Sequence, residues 1–245
     1  FDRIDVSAAT ERDIYVTNTP VLTNTVADLV FGLIFAVARN ISIADAYIKS
    51  GNWKEREERT KFTGFDISGK ALGIIGLGRV GSLVAKRALG FEMSVSYYDV
   101  IRYKELEASS HITFCSLTEV LTHSDIISIH TPLSDSTRGL IGEKELALVK
   151  RTAILINTSR GPVIDEQALI NALQKHRIAG AGLDVHMKEP IDPYNPILKL
   201  PNVVLTPHIG AWTVECNERV VRTAIENTIR VLTGLQPLYS VNLLA

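Results

Sequence analysis

Three side chains that could act on a small organic acid each follow a predicted strand: Arg160, Glu189 and His208. A guanidinium binds a carboxylate or a polarised carbonyl through paired hydrogen bonds. An imidazolium donates a proton to a carbonyl oxygen as hydride reaches the carbon, and a neighbouring carboxylate orients the imidazole and favours its charged form. These residue types predict a site that reduces a 2-keto acid, with Arg160 holding the substrate and His208 supplying the proton.

Each of these residues also has a simpler interpretation. Arg160 could pair with a surface carboxylate, Glu189 could lie in an exposed loop, and His208 could be a partly buried histidine with satisfied hydrogen bonds. The carboxyl ends of parallel strands meet at one edge of a sheet, and a nucleotide-binding pattern lies in the same chain. The combined site is therefore the better interpretation.

That pattern is the run Gly76-Leu-Gly78-Arg-Val-Gly81, which follows the apolar run 72–75 and precedes a predicted helix. A strand, Gly-x-Gly-x-x-Gly and a helix in this order are typical of a site for a dinucleotide pyrophosphate. Gly76 permits the tight turn, Gly78 lets the backbone approach the phosphate, and Gly81 lets the helix pack close to the strand. The helix N-terminus adds unpaired N–H groups and a positive dipole end. A glycine turn without a ligand has a similar sequence, so the context must decide.

Asp99 supplies part of that context, because it closes the next predicted strand. A carboxylate at this position accepts hydrogen bonds from the adenosine ribose hydroxyls and repels a 2′-phosphate, which favours NAD over NADP. The alternative is a turn residue that merely ends the strand. Arg102 lies close enough in sequence to reach a 2′-phosphate, so NADP is not excluded.

Composition restricts the class of protein. The 245 residues are 46% hydrophobic and 22% charged, as in a globular protein of one large or two small domains. A net charge of −1 provides no basic field for nucleic acid and no polybasic membrane signal. The longest apolar stretch, 26–38, is too short to span a membrane and is interrupted by Asp28. We therefore expect no nucleic-acid partner and no membrane partner.

The cysteines and histidines add little chemistry. Cys115 and Cys216 are too few for a disulfide framework, and they predict reduced thiols in a cytoplasmic protein. His186 and Glu189 could in principle hold a metal, but two ligands without partners do not make a metal site. No metal is expected.

Strands and helices alternate along the chain, which predicts an α/β fold: a doubly wound parallel sheet covered by helices on both faces. Ligands of such sheets bind at the carboxyl ends of the strands. The highly charged segment 51–64 is either a solvated loop or an arm that packs on a partner subunit. The predicted strands are 14–19, 72–75, 93–99, 125–130, 153–158, 180–185 and 203–206. The predicted helices are 7–11, 23–40, 43–49, 80–88, a short helix opened by a capping box at 116–119, 143–150, 165–176 and 214–232.

Six segments of the chain resemble the NAD-dependent D-isomer-specific 2-hydroxyacid dehydrogenase family. This family includes glyoxylate and hydroxypyruvate reductases, phosphoglycerate dehydrogenases and D-lactate dehydrogenases. The matching segments are 16–20, 76–81, 129–133, 157–161, 182–185 with Glu189-Pro190, and 206–210. The resemblance implies a Rossmann cofactor domain and remnants of a second, flavodoxin-like substrate domain.

The resemblance also implies a role for particular residues. Arg160 resembles the substrate-binding arginine, His208 the acid/base and Glu189 the acid paired with that histidine. Asp184 resembles the residue that contacts the nicotinamide carboxamide. The remaining residues implied at the cofactor are Arg79 and Val80, whose backbone meets the pyrophosphate, with Thr131, Thr158, Ser159 and Gly210 along the cleft.

The chain departs from the family pattern at two positions. Val21 follows Pro20 where a glycine is usual, and His186 replaces an aromatic residue, which alters the expected pocket wall. The implied domains are 1–22, part of the substrate domain; 23–212, the NAD-binding domain; and 213–245, a C-terminal helix and tail that return to the substrate domain. The turn that grips the substrate carboxylate is expected before Phe1.

Two functions stay open at this point. The first is an oxidoreductase that uses NADH on a small 2-keto acid of the glyoxylate, hydroxypyruvate or phosphohydroxypyruvate class. The second is an NAD-sensing regulatory protein, similar to corepressors of the same fold, with little turnover. The lack of a basic patch favours the enzyme. A homodimer is expected from the resemblance, with the helix 23–40 serving either as the dimer element or as a core helix.

Overall fold

The computed structural model describes residues 4–243. Phe1, Asp2 and Arg3, which begin the segment compared above with the substrate domain, lie outside the described residues, as do the last two residues. The chain forms two compact units. One comprises the residues up to Val26 together with those from Ala211 onward, and the other is Ala27–Gly210.

The strands of the second unit form one parallel sheet. They are β1 (Ala71–Ile75), β2 (Ser94–Tyr98), β3 (Ile112–Phe114), β4 (Ile126–Ile129), β5 (Ile154–Asn157), β6 (Gly180–Leu183) and β7 (Val203–Leu205). The order across this seven-stranded sheet is β3-β2-β1-β4-β5-β6-β7. The strand order reverses between β1 and β4, and in such sheets the crevice at that point binds the ligand.

Helices precede, connect and follow the strands. They are α1 (Val6–Thr10), α2 (Thr23–Ala38), α3 (Ile41–Lys49), α4 (Arg79–Leu89), α5 (Lys104–Ser110), α6 (Leu117–His123), α7 (Glu143–Leu146), α8 (Glu166–Gln174) and α9 (Val214–Leu232). Short 3-10 helices cover Arg56–Phe62, Gly161–Val163 and Pro196–Lys199. The alternation of strand and helix confirms the predicted α/β, doubly wound parallel sheet.

Burial explains why these strands form. Every residue of β4 and β5 is buried, as expected of central strands that are covered on both faces. Successive side chains of a strand point to opposite faces, and accordingly Ile126 and Ile127 belong to different buried clusters. Val84 and Ala88 of α4 share the cluster of Ile126, which places this helix against the sheet.

The helix α2 buries most of its apolar side chains. Ala27, Val30 and Ile34 are fully buried, whereas Asp28 and Gly32 are exposed. Among the described residues, no single helix combines the length and apolar character needed to cross a bilayer. Only α2 and α3 taken together, with a bend of 64° between them, reach that length and composition.

Some predicted elements are wrong or were missed. The predicted strand 14–19 is not a strand, because Thr17 forms only an isolated antiparallel bridge with Ser240 and the Asn242 side chain accepts from the Val16 amide. The predicted helix 143–150 ends early, since α7 covers only its first turn. The elements α5 and β3 were missed, because one is short and charged and the other has three residues. The capping box at Ser116 is confirmed.

Candidate active site

Two glycines, Gly76 in the turn between β1 and α4 and Gly81 in the first turn of α4, are required by the packing of the chain itself. Gly76 has φ +94°, which strains any other residue, and an added Cβ would lie 3.0 Å from the Thr131 nitrogen. A Cβ on Gly81 would lie 2.2 Å from the Gly76 carbonyl oxygen. The turn therefore lies directly against the segment after β4 and against the start of its own helix.

Gly78 is different, because an added Cβ would meet no atom within 4 Å in the described chain. Gly78 is the N-cap of α4. The amides of Arg79 and Val80 lie in the first helical turn, where N–H groups have no partner within the helix. Open space in front of these amides fits an anionic group at the positive end of the helix dipole.

Asp99 joins the end of β2 to the glycine turn. Its carboxylate accepts a hydrogen bond from the Leu77 amide at 2.7 Å and another from the Ile101 amide at 3.1 Å. Each carboxylate oxygen has two acceptor positions, so both oxygens can still accept from a ligand hydroxyl. Arg102, considered above for a 2′-phosphate, forms a paired hydrogen bond with Glu107 instead.

Two hydroxyls that follow the neighbouring strands β4 and β5 fit a polar ligand. Within the described residues, the hydroxyl oxygens of Thr131 and Thr158 are buried and have no hydrogen-bond partner. Buried polar atoms nearly always have a hydrogen-bond partner. Two buried hydroxyls without one at this edge of the sheet therefore fit a site for a polar ligand such as a nucleotide. The Ser159 hydroxyl is already used, since it donates to the Asn157 side chain at 2.8 Å.

Asn157 shapes the loop that carries Arg160, and it was not among the predicted site residues. Its side-chain oxygen accepts from the Ser159 amide, and its side-chain nitrogen donates to the Arg160 carbonyl, each at 3.0 Å. Arg160 donates from Nη1 to the Ser159 carbonyl at 2.8 Å. Asparagine at the end of a fully apolar strand was the available signal, because a buried amide needs several partners.

The loops after β5 and β6 lie against each other. A Cβ on Gly161 would stand 2.1 Å from the carbonyl carbon of His186, so only glycine allows this approach. The predicted Arg160 and Glu189 thereby belong to adjacent loops on one edge of the sheet. Residues 4–243 contain no group of three or more histidine, cysteine, aspartate or glutamate side chains arranged to hold a metal ion.

His208 and Glu189 form a direct pair, with 2.9 Å between Nδ1 of the histidine and Oε2 of the glutamate. The other glutamate oxygen accepts from the His186 amide at 3.2 Å. Burial raises the pKa of Glu189, but the hydrogen bonds from His208 and His186 outweigh it and hold that pKa below its usual value. Because the ionised carboxylate can only accept, Nδ1 of His208 is the donor and Nε2 is left for another partner.

His208 is the histidine suited to proton transfer at this edge. Its side chain is 46% exposed, and its backbone has φ +56°. His130 also follows a strand, but burial lowers the pKa of its imidazole to about 3 and keeps the ring neutral. His186 donates from Nε2 to the Thr206 carbonyl at 2.9 Å and so supports the turn before His208.

Asp184 also supports the turn that carries His208. Its carboxylate is 1% exposed and accepts from the Thr206 hydroxyl at 2.6 Å and from the Ile209 and Gly210 amides, both at 2.8 Å. These three bonds surround His208 in the sequence. The structure thus gives Asp184 a supporting function that the resemblance did not imply.

We expect Asp184→Asn to destabilise the protein by roughly 1.5 to 3 kcal/mol, because an amide nitrogen would face backbone donors and charge-assisted bonds would be lost. Urea denaturation measures this free energy of unfolding. Asp192→Asn is the matched control, since Asp192 accepts from the Tyr194 amide in an exposed loop. Equal stability of the two variants would contradict the role of Asp184.

A glycine turn suited to a pyrophosphate, with an arginine and a histidine–glutamate pair on the same edge of the sheet, is typical of the dinucleotide-dependent oxidoreductases. The sequence profile of the family described as D-isomer specific 2-hydroxyacid dehydrogenase, NAD binding domain, matches residues 31–210. The chain belongs to this family. It is an NAD-dependent enzyme that interconverts 2-keto and 2-hydroxy acids, which confirms the predicted family, fold class, cofactor and reaction.

Curated relatives of known name span nearly the whole chain. A glyoxylate reductase of Korarchaeum cryptofilum is 47% identical over 243 residues, which cover 99% of this chain and 73% of the relative. A glyoxylate reductase of Thermococcus litoralis is 49% identical over 247 residues, covering 99% of this chain and 74% of the relative. These relatives are enzymes and give no support to the corepressor alternative.

Solved structures agree in fold. The TT0316 protein from Thermus thermophilus has a TM-score of 0.93 at 43% identity, covering 99% of this chain and 76% of that one. An acyclic imino acid reductase in complex with NADPH and D-Arg has a TM-score of 0.87 at 37% identity, with coverages of 99% and 76%. A D-lactate dehydrogenase from Aquifex aeolicus, complexed with NAD and lactic acid, has a TM-score of 0.85 at 31% identity, with coverages of 96% and 74%.

Proposed function

We propose that this chain reduces glyoxylate, or a 2-keto acid of similar size such as hydroxypyruvate, with NADH. The observation that carries the proposal is the 2.9 Å pair between His208 and Glu189, on the edge that also holds Arg160. The choice of acid is supported by the two glyoxylate reductases, which are 47% and 49% identical to this chain.

In this proposal the glycine turn and the first-turn amides of Arg79 and Val80 hold the pyrophosphate. Asp99 accepts from the ribose hydroxyls. When bound, the nicotinamide supplies a hydride for the carbonyl carbon. The other proposed contacts with the nucleotide are those of Thr131, Thr158, Ser159, Asp184 and Gly210.

Arg160 binds the substrate through its carboxylate. A guanidinium forms two parallel hydrogen bonds with a carboxylate, which fixes the position of the adjacent carbonyl as well as its charge. The loop of Arg160 is held by Asn157 and by the close approach of Gly161 to His186. The guanidinium therefore starts from a loop that is restrained before substrate binds, which lowers the entropic cost of orientation.

His208 supplies the proton. In its charged form, Nε2 gives a proton to the carbonyl oxygen as the carbon–oxygen π bond breaks, and Nδ1 keeps its hydrogen bond to Glu189. Glu189 stabilises the imidazolium before the transfer and holds the ring in one orientation. The exposed side chain of His208 allows solvent to restore the proton.

A substrate panel tests this function. We expect NADH consumption with glyoxylate and hydroxypyruvate, and at least about tenfold lower kcat/KM with glycolaldehyde, which lacks the carboxylate that Arg160 binds. The assay follows NADH absorbance over time. If the protein binds NADH but consumes it with neither glyoxylate nor hydroxypyruvate, the proposal is contradicted.

We further propose the domain division 1–22, 23–212 and 213–245, in which both ends of the chain belong to a flavodoxin-like substrate domain. It is supported by hydrogen bonds within the first compact unit. The Asn18 amide donates to the Tyr239 carbonyl at 3.1 Å, and the Val241 amide donates to the Val16 carbonyl at 2.7 Å. Residues from both ends thus form one unit.

We also propose a homodimer in the cytoplasm. Exposed apolar side chains in and after α3 support the dimer: Ile41, Ile48 and Trp53 are each more than half exposed. The burial of α2 leaves this segment, rather than α2, as the better dimer element. The free thiols of Cys115 and Cys216 support a reducing compartment.

A further inference from the structure

Arg102, three residues after Asp99 in the sequence, is held between a carboxylate and an aromatic ring. Its guanidinium donates from Nε and Nη2 to the two carboxylate oxygens of Glu107, at 2.9 and 2.8 Å. It also lies over the Phe114 ring, with 5.4 Å between its central carbon and the ring centroid. The guanidinium is therefore stabilised by a paired carboxylate and by an aromatic ring, and a new partner would have to replace these contacts.

Glu107 is itself fixed from the sheet side. The Tyr97 hydroxyl, fully buried in β2, donates to Glu107 at 3.0 Å and accepts from the Tyr103 amide at 2.8 Å. Hydrogen bonds from Arg102 and Tyr97 hold the pKa of Glu107 below its usual value despite its partial burial. The carboxylate that pairs with Arg102 is thus charged, and the Tyr97 hydroxyl fixes its position.

Arg102 is three residues beyond Asp99 and is therefore the cation best placed in sequence to meet a 2′-phosphate. A 2′-phosphate would have to displace Glu107 to gain that contact. We propose that Glu107 is a specificity-determining residue, which makes the chain prefer NAD over NADP by occupying Arg102. Asp99 repels the phosphate directly, and Glu107 removes the cation that could compensate. The inference rests on the nucleotide site proposed above.

Titration of protein fluorescence with NADH and with NADPH gives the two dissociation constants. We expect Glu107→Gln to tighten NADPH binding about tenfold, because the released guanidinium can form a charge-assisted pair with the phosphate, and to leave NADH binding unchanged. Glu105→Gln is the matched control: it removes the same charge from the same short helix, and Glu105 is exposed. It should leave the NADPH dissociation constant within about twofold.

Two further variants separate the effect of the pair between Arg102 and Glu107 from that of a general change in charge. Adding Arg102→Ala to Glu107→Gln should abolish the gain in NADPH affinity. Arg102→Ala alone should alter NADPH affinity by less than about twofold, since the guanidinium of Arg102 is already paired with Glu107. Arg102 is exposed, so its replacement should leave the fold intact. An unchanged NADPH affinity in Glu107→Gln, a gain that survives Arg102→Ala, or an equal gain in Glu105→Gln would overturn the inference. Failure of the unaltered protein to bind NADH would overturn the nucleotide site itself.

Discussion

We expect His208→Asn to lower kcat for glyoxylate by about 10²- to 10⁴-fold and to leave the affinity for NADH unchanged. Asparagine has no proton to give at physiological pH, yet it tolerates the φ of +56° that this position adopts, where alanine would be strained. The variant therefore removes the acid without disturbing the turn that Asp184 and His186 hold. Steady-state kinetics and a fluorescence titration with NADH give the two quantities.

His123→Asn serves as the control for this result. His123 is exposed in the last turn of α6, at the opposite end of β4 from the proposed site, and bonds to the Glu119 carbonyl. It should retain the full rate. Retention of the full rate by His208→Asn as well would exclude His208 as the acid and leave the 2.9 Å pair with Glu189 as a structural contact only.

Gly81→Ala and Gly78→Ala should differ in their effects on stability and on NADH affinity. The new Cβ of Gly81→Ala would stand 2.2 Å from the Gly76 carbonyl oxygen, so the backbone must shift, at a cost of roughly 1 to 3 kcal/mol of stability. NADH affinity should fall with it, because the same turn carries the proposed phosphate site. Urea denaturation and NADH titration measure the two effects.

Gly78→Ala is the matched comparison, since its Cβ meets nothing within 4 Å in the described chain, and its backbone has φ −64° and ψ −158° at the N-cap of α4. Stability should fall less than in Gly81→Ala, since the only cost is that alanine is a poorer N-cap than glycine. NADH affinity should fall at least about tenfold, a loss of roughly 1.4 kcal/mol, because the methyl group occupies the space of the phosphate. Wild-type affinity in Gly78→Ala would contradict the placement of the pyrophosphate at this helix end.

Much of the fold could be predicted from local patterns. The buried strands β1, β4 and β5 are predominantly apolar, and α2 and α9 show helical spacing of apolar residues over several turns. Short elements escaped this approach. Three residues in β3 and a single turn in α7 carry too little periodicity to distinguish them from loops.

The site residues could be predicted from the sequence because their signals are local. A glycine turn has to follow a strand and precede a helix, and Arg160, Glu189 and His208 each follow a strand. Supporting residues gave weaker signals. Asn157 and Asp184 appear in the sequence as ordinary polar residues near strand ends, and only their burial shows that they hold the loops of Arg160 and His208.

From its sequence alone, this chain could be assigned a parallel α/β sheet, a dinucleotide turn and three side chains suited to 2-keto acid reduction. Those features depend on backbone preferences and hydrophobic periodicity within about 20 residues. Tertiary structure decided which groups meet: Glu189 with His208, Gly161 with the His186 backbone, and Glu107 with Arg102 and the buried Tyr97. Such pairings depend on how side chains and loops pack in three dimensions, which hydrophobic periodicity does not encode even for residues that are close in sequence.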